Sequence, residues 1–375
     1  MKVLFTTFPA YGHLLPMLPL ARAAAAAGDE VLIAASGDLR GTAPGLTMRD
    51  VGPALPALIA ENQTRFQRDV MDYRSDHDGA ESAENDLVAA TVALFTTTYA
   101  DVVLDDLLAL AGDERPDVIV AEMWDFVTPL VAHKLGIPYV TFVHSPATVI
   151  DAVLAAGAEQ AGVQRGLPVP AAAATVQLWP EWLETLPVTP DDSRIAIGSS
   201  AYDTATPVDI APFTGERPVV LVTLGTVVAD LDLLRSAVHA VVDAGADALV
   251  TTGFTAKPED LDVDPERVRA VSFAPIGQLL DRAQAVVAAG GSGTTLATLS
   301  RGLPMLFVPR IANQPQIAAA VTAFGAGVTP DSLVESVPAL LADPDLRARA
   351  AAARDRLAER PTPEAVWSTL RARLT

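Results

Sequence analysis

Short apolar runs, each followed by a turn and then by helical spacing, set the rhythm of this chain. Val3-Leu-Phe-Thr-Thr-Phe8 is apolar apart from its two threonines, the form of a strand buried on both faces of a parallel sheet. A turn carrying Pro and Gly over 9–13 leads into a helical pattern from Leu14 to Ala27, closed by Gly28, and Val31-Leu-Ile-Ala34 is the next strand. Strand, helix and strand at this spacing predict a βαβ unit. Residues 53–85 are polar and aperiodic, which predicts a long loop with broken helices. A helix over 86–110 follows, then a strand at 116–121, a helix at 126–135 and a strand at 139–143. The alanine-rich stretch 150–178 is expected to be helical in part.

Residues 197–218 hold three prolines and no clear period, and they predict a linker. The pattern then restarts with strands at 219–224, 248–252, 268–273, 285–289 and 305–308. A helix is expected over 231–244, and others near Thr294, over 333–359 and over 363–374. The expectation is an α/β protein of two doubly wound, Rossmann-like domains facing a cleft. The N-terminal domain is 1–196, the linker 197–218 and the C-terminal domain 219–360. A last helix, 361–375, crosses back to the first domain. Ligands of such folds bind at the carboxyl ends of the strands.

Composition narrows the chemistry. The chain has 375 residues, half of them hydrophobic, and a formal charge of −20. That sign disfavours nucleic acid and anionic membrane surfaces as partners. The absence of cysteine rules out disulfides, thiolate nucleophiles and Cys-ligated metals. The apolar run at the N-terminus is too short for a signal peptide and no run is long enough to span a bilayer, so a cytoplasmic location is expected. The oligomeric state stays open, with a homodimer among the alternatives.

The strongest local motif is Ala289-Gly-Gly-Ser-Gly-Thr-Thr295 between a strand and a helix. Glycines let successive N–H groups converge, and a helix N-terminus adds partial positive charge, which together suit a phosphate or diphosphate. Shape alone would also call for glycine there. No P-loop lysine follows, and the first βαβ unit lacks G-x-G-x-x-G, which disfavours kinases and dehydrogenases. His13, in Tyr11-Gly-His-Leu-Leu-Pro16, follows the first strand and begins a helix whose positive end favours neutral imidazole, the form a general base needs. Glu122 and Asp125 follow the strand ending at Ala121; either suits the second imidazole N–H, and Asp125 equally suits a helix N-terminus. His144 directly follows a strand and is a weaker candidate. His133 and His239 read as helix-face residues, and His77 as a loop residue without a third ligand for metal.

These motifs, taken in order, resemble glycosyltransferase family 1 enzymes of the GT-B fold, and especially bacterial transferases that decorate natural products. Phe5 to Ala21 is similar to the family's N-terminal motif. Pro116-Asp-Val-Ile-Val-Ala-Glu122 and Leu135-Gly-Ile-Pro138 are similar to the stretch with the His-orienting acid. Val222-Thr-Leu-Gly-Thr226, Phe273-Ala-Pro275, Gly290 to Thr295, Gly302-Leu-Pro304 and Asn313-Gln314 follow the donor-side pattern. The resemblance implies inverting transfer of a sugar from a nucleotide diphosphate to a hydroxyl of a hydrophobic natural-product acceptor, without metal or cofactor. The donor would be a UDP- or TDP-sugar. His13 would be the base and Glu122 its partner. Thr226, Phe273, Ala274, Gly291, Ser292, Gly293, Thr294, Asn313 and Gln314 would bind the donor. Where the family carries a histidine before the Gly-Gly, this chain has Ala289. Asn313 stands for an aspartate, and Ile276 for a glutamine. Two alternatives remain open: a donor-blind relative that binds a hydrophobic small molecule or partner enzyme, and a retasked enzyme using His13 for proton transfer alone.

Overall fold

The computed structural model describes residues 1–64, 67, 93–146, 157–185, 192–199, 201–202, 208–225, 230–254, 256–310 and 313–374. Two compact units share the chain. Met1–Leu178, Leu186–Ile197 and Pro361–Thr375 form the first; Trp179–Thr185 and Gly198–Arg360 form the second.

The first unit is built on seven parallel strands: β1 (Lys2–Thr6), β2 (Glu30–Ala35), β3 (Thr47–Asp50), β4 (Val118–Glu122), β5 (Tyr139–Val143), β6 (Ala174–Gln177) and β7 (Arg194–Ala196). Their order is β3-β2-β1-β4-β5-β6-β7. The chain therefore reverses its direction of travel across the sheet between β1 and β4. β1 and β4 are buried almost throughout, which is why their sequences read as apolar runs rather than as alternation. Leu4, Leu32, Val103, Leu107, Ile119 and Val131 belong to one core between the sheet and its helices.

The expected helix over 14–27 begins earlier, at Tyr11, and is broken. A turn of α-helix, Tyr11–Leu14, passes into a 3₁₀ turn, Leu15–Met17, before helix Leu18–Ala26 resumes. Pro16 and Pro19 lack the N–H groups that a continuous helix would use, and the tighter turn accommodates them. Strands β3, β6 and β7 were not anticipated: β3 is largely exposed and carries Arg49 and Asp50, and the alanine of 170–174 masks β6. Residues 157–165 of the alanine-rich stretch are helical. Most of the expected 53–85 loop and the start of the 86–110 helix lie outside the described residues; the described part shows helix Leu55–Glu61, then a π-helical segment Ala93–Thr98 leading into helix Tyr99–Glu114.

The last helix, Pro363–Leu374, belongs to this unit and packs on helix Leu18–Ala26. Buried Trp367 donates its indole N–H to Asp29 Oδ2 at 2.8 Å. Asp29 also receives the N-terminal ammonium at 2.6 Å and lies 3.6 Å from Arg371. Burial raises the Asp29 carboxyl, but these donors outweigh it and leave the group below its ordinary value.

The second unit holds six parallel strands: β8 (Val219–Thr223), β9 (Asp247–Thr251), β10 (Val268–Val271), β11 (Ala285–Ala288), β12 (Met305–Phe307) and β13 (Gly327–Val328). Their order, β10-β9-β8-β11-β12-β13, places the same reversal between β8 and β11. Two-residue β13 and five-residue helix Ile276–Leu280 were too short to read from pattern, and helix Gln314–Phe324 was not read from the sequence either. The expected 333–359 helix divides at Asp343, which caps the helix starting at Pro344 by accepting from the N–H groups of Asp345 and Leu346. Parts of the expected 197–218 linker are docked in this unit. Gln278 accepts from the N–H of Val208, and Arg282 donates to the carbonyl of Ile210. Trp182 packs on Phe324 with Arg356 against its ring, which explains why 179–185 groups with the second unit rather than with the first. Among the described residues, no helix is long and apolar enough to cross a membrane.

Candidate active site

β4 lies between β1 and β5. In register, Thr6 is beside Ala121, and Glu122 is beside Phe142. Glu122 is the last residue of β4 and is 1% exposed. The loop after β1 brings His13 to one side of it, and the residue just past β5 brings His144 to the other. His144 Nε2 lies 2.8 Å from Glu122 Oε1, and His13 Nδ1 lies 3.0 Å from Glu122 Oε2. The second contact has hydrogen-bond length but falls outside hydrogen-bond angles. The imidazoles meet edge to face, 5.3 Å between centroids. All of this sits at the point where the strand order reverses, the usual ligand position in open α/β sheets.

Glu122 accepts and never donates while ionised. Burial pushes its carboxyl up, but the His13 and His144 imidazoles outweigh that and hold it at about 2. An ionised carboxylate can only accept, so it suits the tautomer of His13 that carries its proton on Nδ1, in which Nε2 is the unprotonated nitrogen. His13 occupies the third position of a single helical turn; the carboxylate, rather than a helix end, sets its tautomer. The His13 side chain is 19% exposed and that of His144 only 7%, which leaves His13 as the imidazole open to a ligand.

Asp125 does something else. Its Oδ1 accepts from the N–H groups of Val127 and Thr128 at 3.0 and 3.1 Å, and its Oδ2 accepts from the Thr128 hydroxyl at 2.7 Å. It holds the start of helix Thr128–Leu135, and burial raises its carboxyl despite those donors. Of the two acids suggested by the sequence, only Glu122 is paired with the histidine.

An aromatic wall adjoins His13. Phe8 lies 5.3 Å from its ring; Phe95, on the π-helical segment, is stacked at 6.1 Å and in turn stacks on Trp124 at 4.8 Å. Phe95 and Trp124 are both half-buried. Neither was singled out from the sequence, because isolated aromatics in helical or loop contexts carry no local signature. His13, Glu122 and His144 also offer three ligand atoms within 4.8 Å of one another, so the set could hold a metal ion. Both oxygens of Glu122 already face the two rings, one through the hydrogen bond to His144 and one through the contact with His13.

In the second unit, β11 ends at Ala288, and buried Ala289 leads to Gly290 at φ +98°. A Cβ on Gly290 would lie 3.2 Å from the Gln314 carbonyl oxygen and 3.3 Å from Phe307 Cδ1. Glycine is needed there for both conformation and space. Gly291 is the N-cap, so helix Ser292–Leu299 starts two residues before the expected Thr294. Gly291 and Gly293 have nothing within 4 Å of a hypothetical Cβ, so a ligand can approach their backbone. Inside the first turn, the Thr295 hydroxyl is fully buried with no hydrogen-bond partner among the described residues.

The other expected donor-side residues also follow strand C-termini. After β12, Asn313 stands at the N-cap position of helix Gln314–Phe324 without a side-chain capping bond, and Gln314 Oε1 accepts from the N–H of Arg310 at 2.8 Å. After β10, Phe273 stacks with Phe254 at 5.2 Å and Ala274 is buried. Thr226 lies outside the described residues. β11 adjoins both β8 and β12, and Gly290 lies against the backbone of Gln314, so the glycine turn and the start of helix Gln314–Phe324 are neighbours.

Sequence comparison is consistent across both units. A family described as erythromycin biosynthesis protein CIII-like, N-terminal domain, matches residues 22–199, and its C-terminal counterpart matches 235–372. Elloramycin glycosyltransferase ElmGT of Streptomyces olivaceus is 31% identical, over 99% of this chain and 97% of its own. The 3-alpha-mycarosylerythronolide B desosaminyl transferase of Saccharopolyspora erythraea is 28% identical, over 98% and 96%. The crystal structure of the Streptomyces sp. SF2575 glycosyltransferase SsfS6, complexed with thymidine diphosphate, shares the fold with a TM-score of 0.79, 24% identity and 99% coverage of both chains. With matching sequence over its whole length and two doubly wound parallel sheets, this chain belongs to the EryCIII-like family of bacterial natural-product glycosyltransferases.

Proposed function

We propose that the protein transfers a sugar, with inversion, from a nucleotide diphosphate to a hydroxyl group of a hydrophobic acceptor, and that His13 is the general base. The observation that carries this reading is the contact of His13 Nδ1 with buried, ionised Glu122 at 3.0 Å. It leaves Nε2 able to take a proton and sets an anion beside the imidazolium that results. As that proton leaves, the acceptor oxygen bonds to the anomeric carbon from the face opposite the leaving group. The bond to the diphosphate oxygen breaks, and the electron pair stays on the diphosphate. One displacement gives one inversion.

The leaving group's charge calls for donors already in position. Helix Ser292–Leu299 supplies first-turn N–H groups and its positive end, with Ser292, Gly293 and Thr294 nearest to the loop. Asn313 and Gln314 are the residues proposed for the sugar hydroxyls, and Thr226, Phe273 and Ala274 for the nucleotide. Phe95 and Trp124 suit an apolar acceptor beside the base. The donor is a substrate, a UDP- or TDP-sugar, and no resident cofactor is required.

The test is His13→Ala, which should lower kcat by about 10²–10⁴ and leave nucleotide affinity unchanged, since His13 and the glycine loop belong to different units. Wild-type turnover in the variant would overturn the assignment. Ala289 favours a second, donor-blind reading, because it leaves no side-chain donor just before Gly290. Thermal shift with thymidine and uridine diphosphates separates the two. Stabilisation by about 2.7 kcal/mol is expected at a hundredfold excess over Kd; no shift with either would favour the donor-blind protein.

A further inference from the structure

We infer that His144 is a positioning residue for the reaction: by donating Nε2–H to Glu122 Oε1, it locks the carboxylate so that Oε2 faces His13. The inference rests on His13 being the base. One buried carboxylate serves two imidazoles here, which a simple His–acid pair does not require.

The strand order creates the arrangement. Glu122 ends the strand that lies between β1 and β5, so one ring reaches it from each flank. A glutamate side chain has two more torsions beyond Cβ than the backbone controls, and burial by itself does not orient its carboxyl plane. The 2.8 Å bond from His144 does. His144 is 5% exposed and therefore cannot itself meet an acceptor hydroxyl; it acts through Glu122. Its geometry also fixes charge. With Glu122 ionised, the His144 nitrogen that faces it carries hydrogen, and in its neutral form His144 orients the anion without cancelling its charge, which stays available to the imidazolium that forms at His13.

Loss of the His144 donor has a defined electrostatic sign. A carboxylate relieved of one donor concentrates its charge on the remaining partner and favours the protonated form of His13. The acid limb of the rate profile should then move to higher pH. Among the described residues, the charged and titratable groups around the set are His13, Glu122 and His144 themselves, Asp125 on the loop after β4, and Tyr99. The Tyr99 hydroxyl donates to the Thr7 carbonyl, and burial raises it well above its ordinary value. Asp125 is committed to Thr128 and Val127. Neither replaces the lost donor.

The experiment is the pH dependence of kcat and of the donor KM for His144→Phe and His144→Gln, with thermal melts of both. The phenylalanine variant should lose roughly 10- to 100-fold in kcat, with its acid limb displaced upward and donor KM unchanged. The glutamine variant keeps an N–H for Oε1 and should recover most of the rate and the wild-type limb. A folded phenylalanine variant with wild-type kcat and profile would overturn the inference. So would a folded glutamine variant no better than a folded phenylalanine one or, where the phenylalanine variant does not fold, a folded glutamine variant that recovers little of the wild-type rate. His13→Ala is run in parallel: if it retains turnover, the base assignment has failed; if it is inactive while His144→Phe is wild-type, only the role of His144 has failed.

Discussion

Replacement of Glu122 by glutamine isolates one charge at constant shape. The wild-type carboxyl is fully buried and is held at about 2 instead of 4.5 by two imidazoles. That difference corresponds to on the order of 3 kcal/mol of folding free energy near neutral pH. Glutamine offers one acceptor oxygen and an NH₂ group, so one of the two rings must meet a donor with its own N–H. Either that ring changes tautomer or the contact opens. In both cases no anion remains to stabilise imidazolium at His13, and kcat should fall by about 10²–10⁴. Stability has its own signature. A depressed carboxyl contributes fully above pH 4.5, its ordinary value, and the contribution is lost as pH falls from there towards about 2. Denaturant midpoints of Glu122→Gln and wild type should therefore differ most at pH 5–7 and converge below about pH 4.5. Turnover is measured in parallel, with a nucleotide sugar and a hydrophobic acceptor, at saturating concentrations of each. Activity within about threefold of wild type, or a stability difference that grows on acidification, would refute the reasoning.

Asp125→Ala should lower stability by about 2–3 kcal/mol through loss of the three bonds that start helix Thr128–Leu135. The surviving folded fraction should keep its kcat, and a loss of kcat as large as that of Glu122→Gln would make Asp125 part of the catalytic set. Gly290→Ala puts a side chain at φ +98° against the Gln314 carbonyl and Phe307, so it should cost about 1–2 kcal/mol and weaken nucleoside diphosphate binding in calorimetry. Gly291→Ala meets nothing within 4 Å and should leave stability unchanged; equal losses in both would show that the spacing at Gly290 is not the cause. Asp29→Asn leaves the N-terminal ammonium and Arg371 without their buried anion and should lower the melting temperature in the acid-sensitive manner expected of a depressed carboxyl. The wild-type advantage is present above about pH 4 and disappears below it, and a constant difference across pH would contradict the pairing.

The elements that the chain announces for itself are those whose residues are buried as a block. β1, β4, β8 and β11 are apolar at nearly every position because both faces of each are covered. The glycine loop was legible for a related reason. Gly290 adopts a backbone conformation closed to other residues, and the composition of the loop records that requirement. Strand β3, with two charged residues at an edge, and two-residue β13 leave no such record, since exposure and brevity remove the pattern.

The site divides along the same line. His13 stood out by its position after the first strand, and Glu122 by its position at the end of another, each a local feature of the chain. Residue chemistry alone did not choose Glu122 over Asp125, which are three residues apart and chemically alike; only the family resemblance pointed to Glu122. The choice follows from where the β4 backbone ends: Glu122 remains in the strand and points between the flanking rings, whereas Asp125 lies beyond the turn and is taken up by the N–H groups of the next helix. His144 carried only a weak local signal for the same reason. A residue just past a strand acquires chemistry from its spatial neighbours, and β5 becomes a neighbour of β4 only once the sheet is ordered. The central strands of both sheets, the glycine turn and the base candidate were legible in the sequence, because burial and backbone conformation leave their mark residue by residue. How Glu122 is held, and that a second imidazole shares it, followed only from the fold, because those contacts join positions 109 and 22 residues apart that the packing of β1, β4 and β5 brings together.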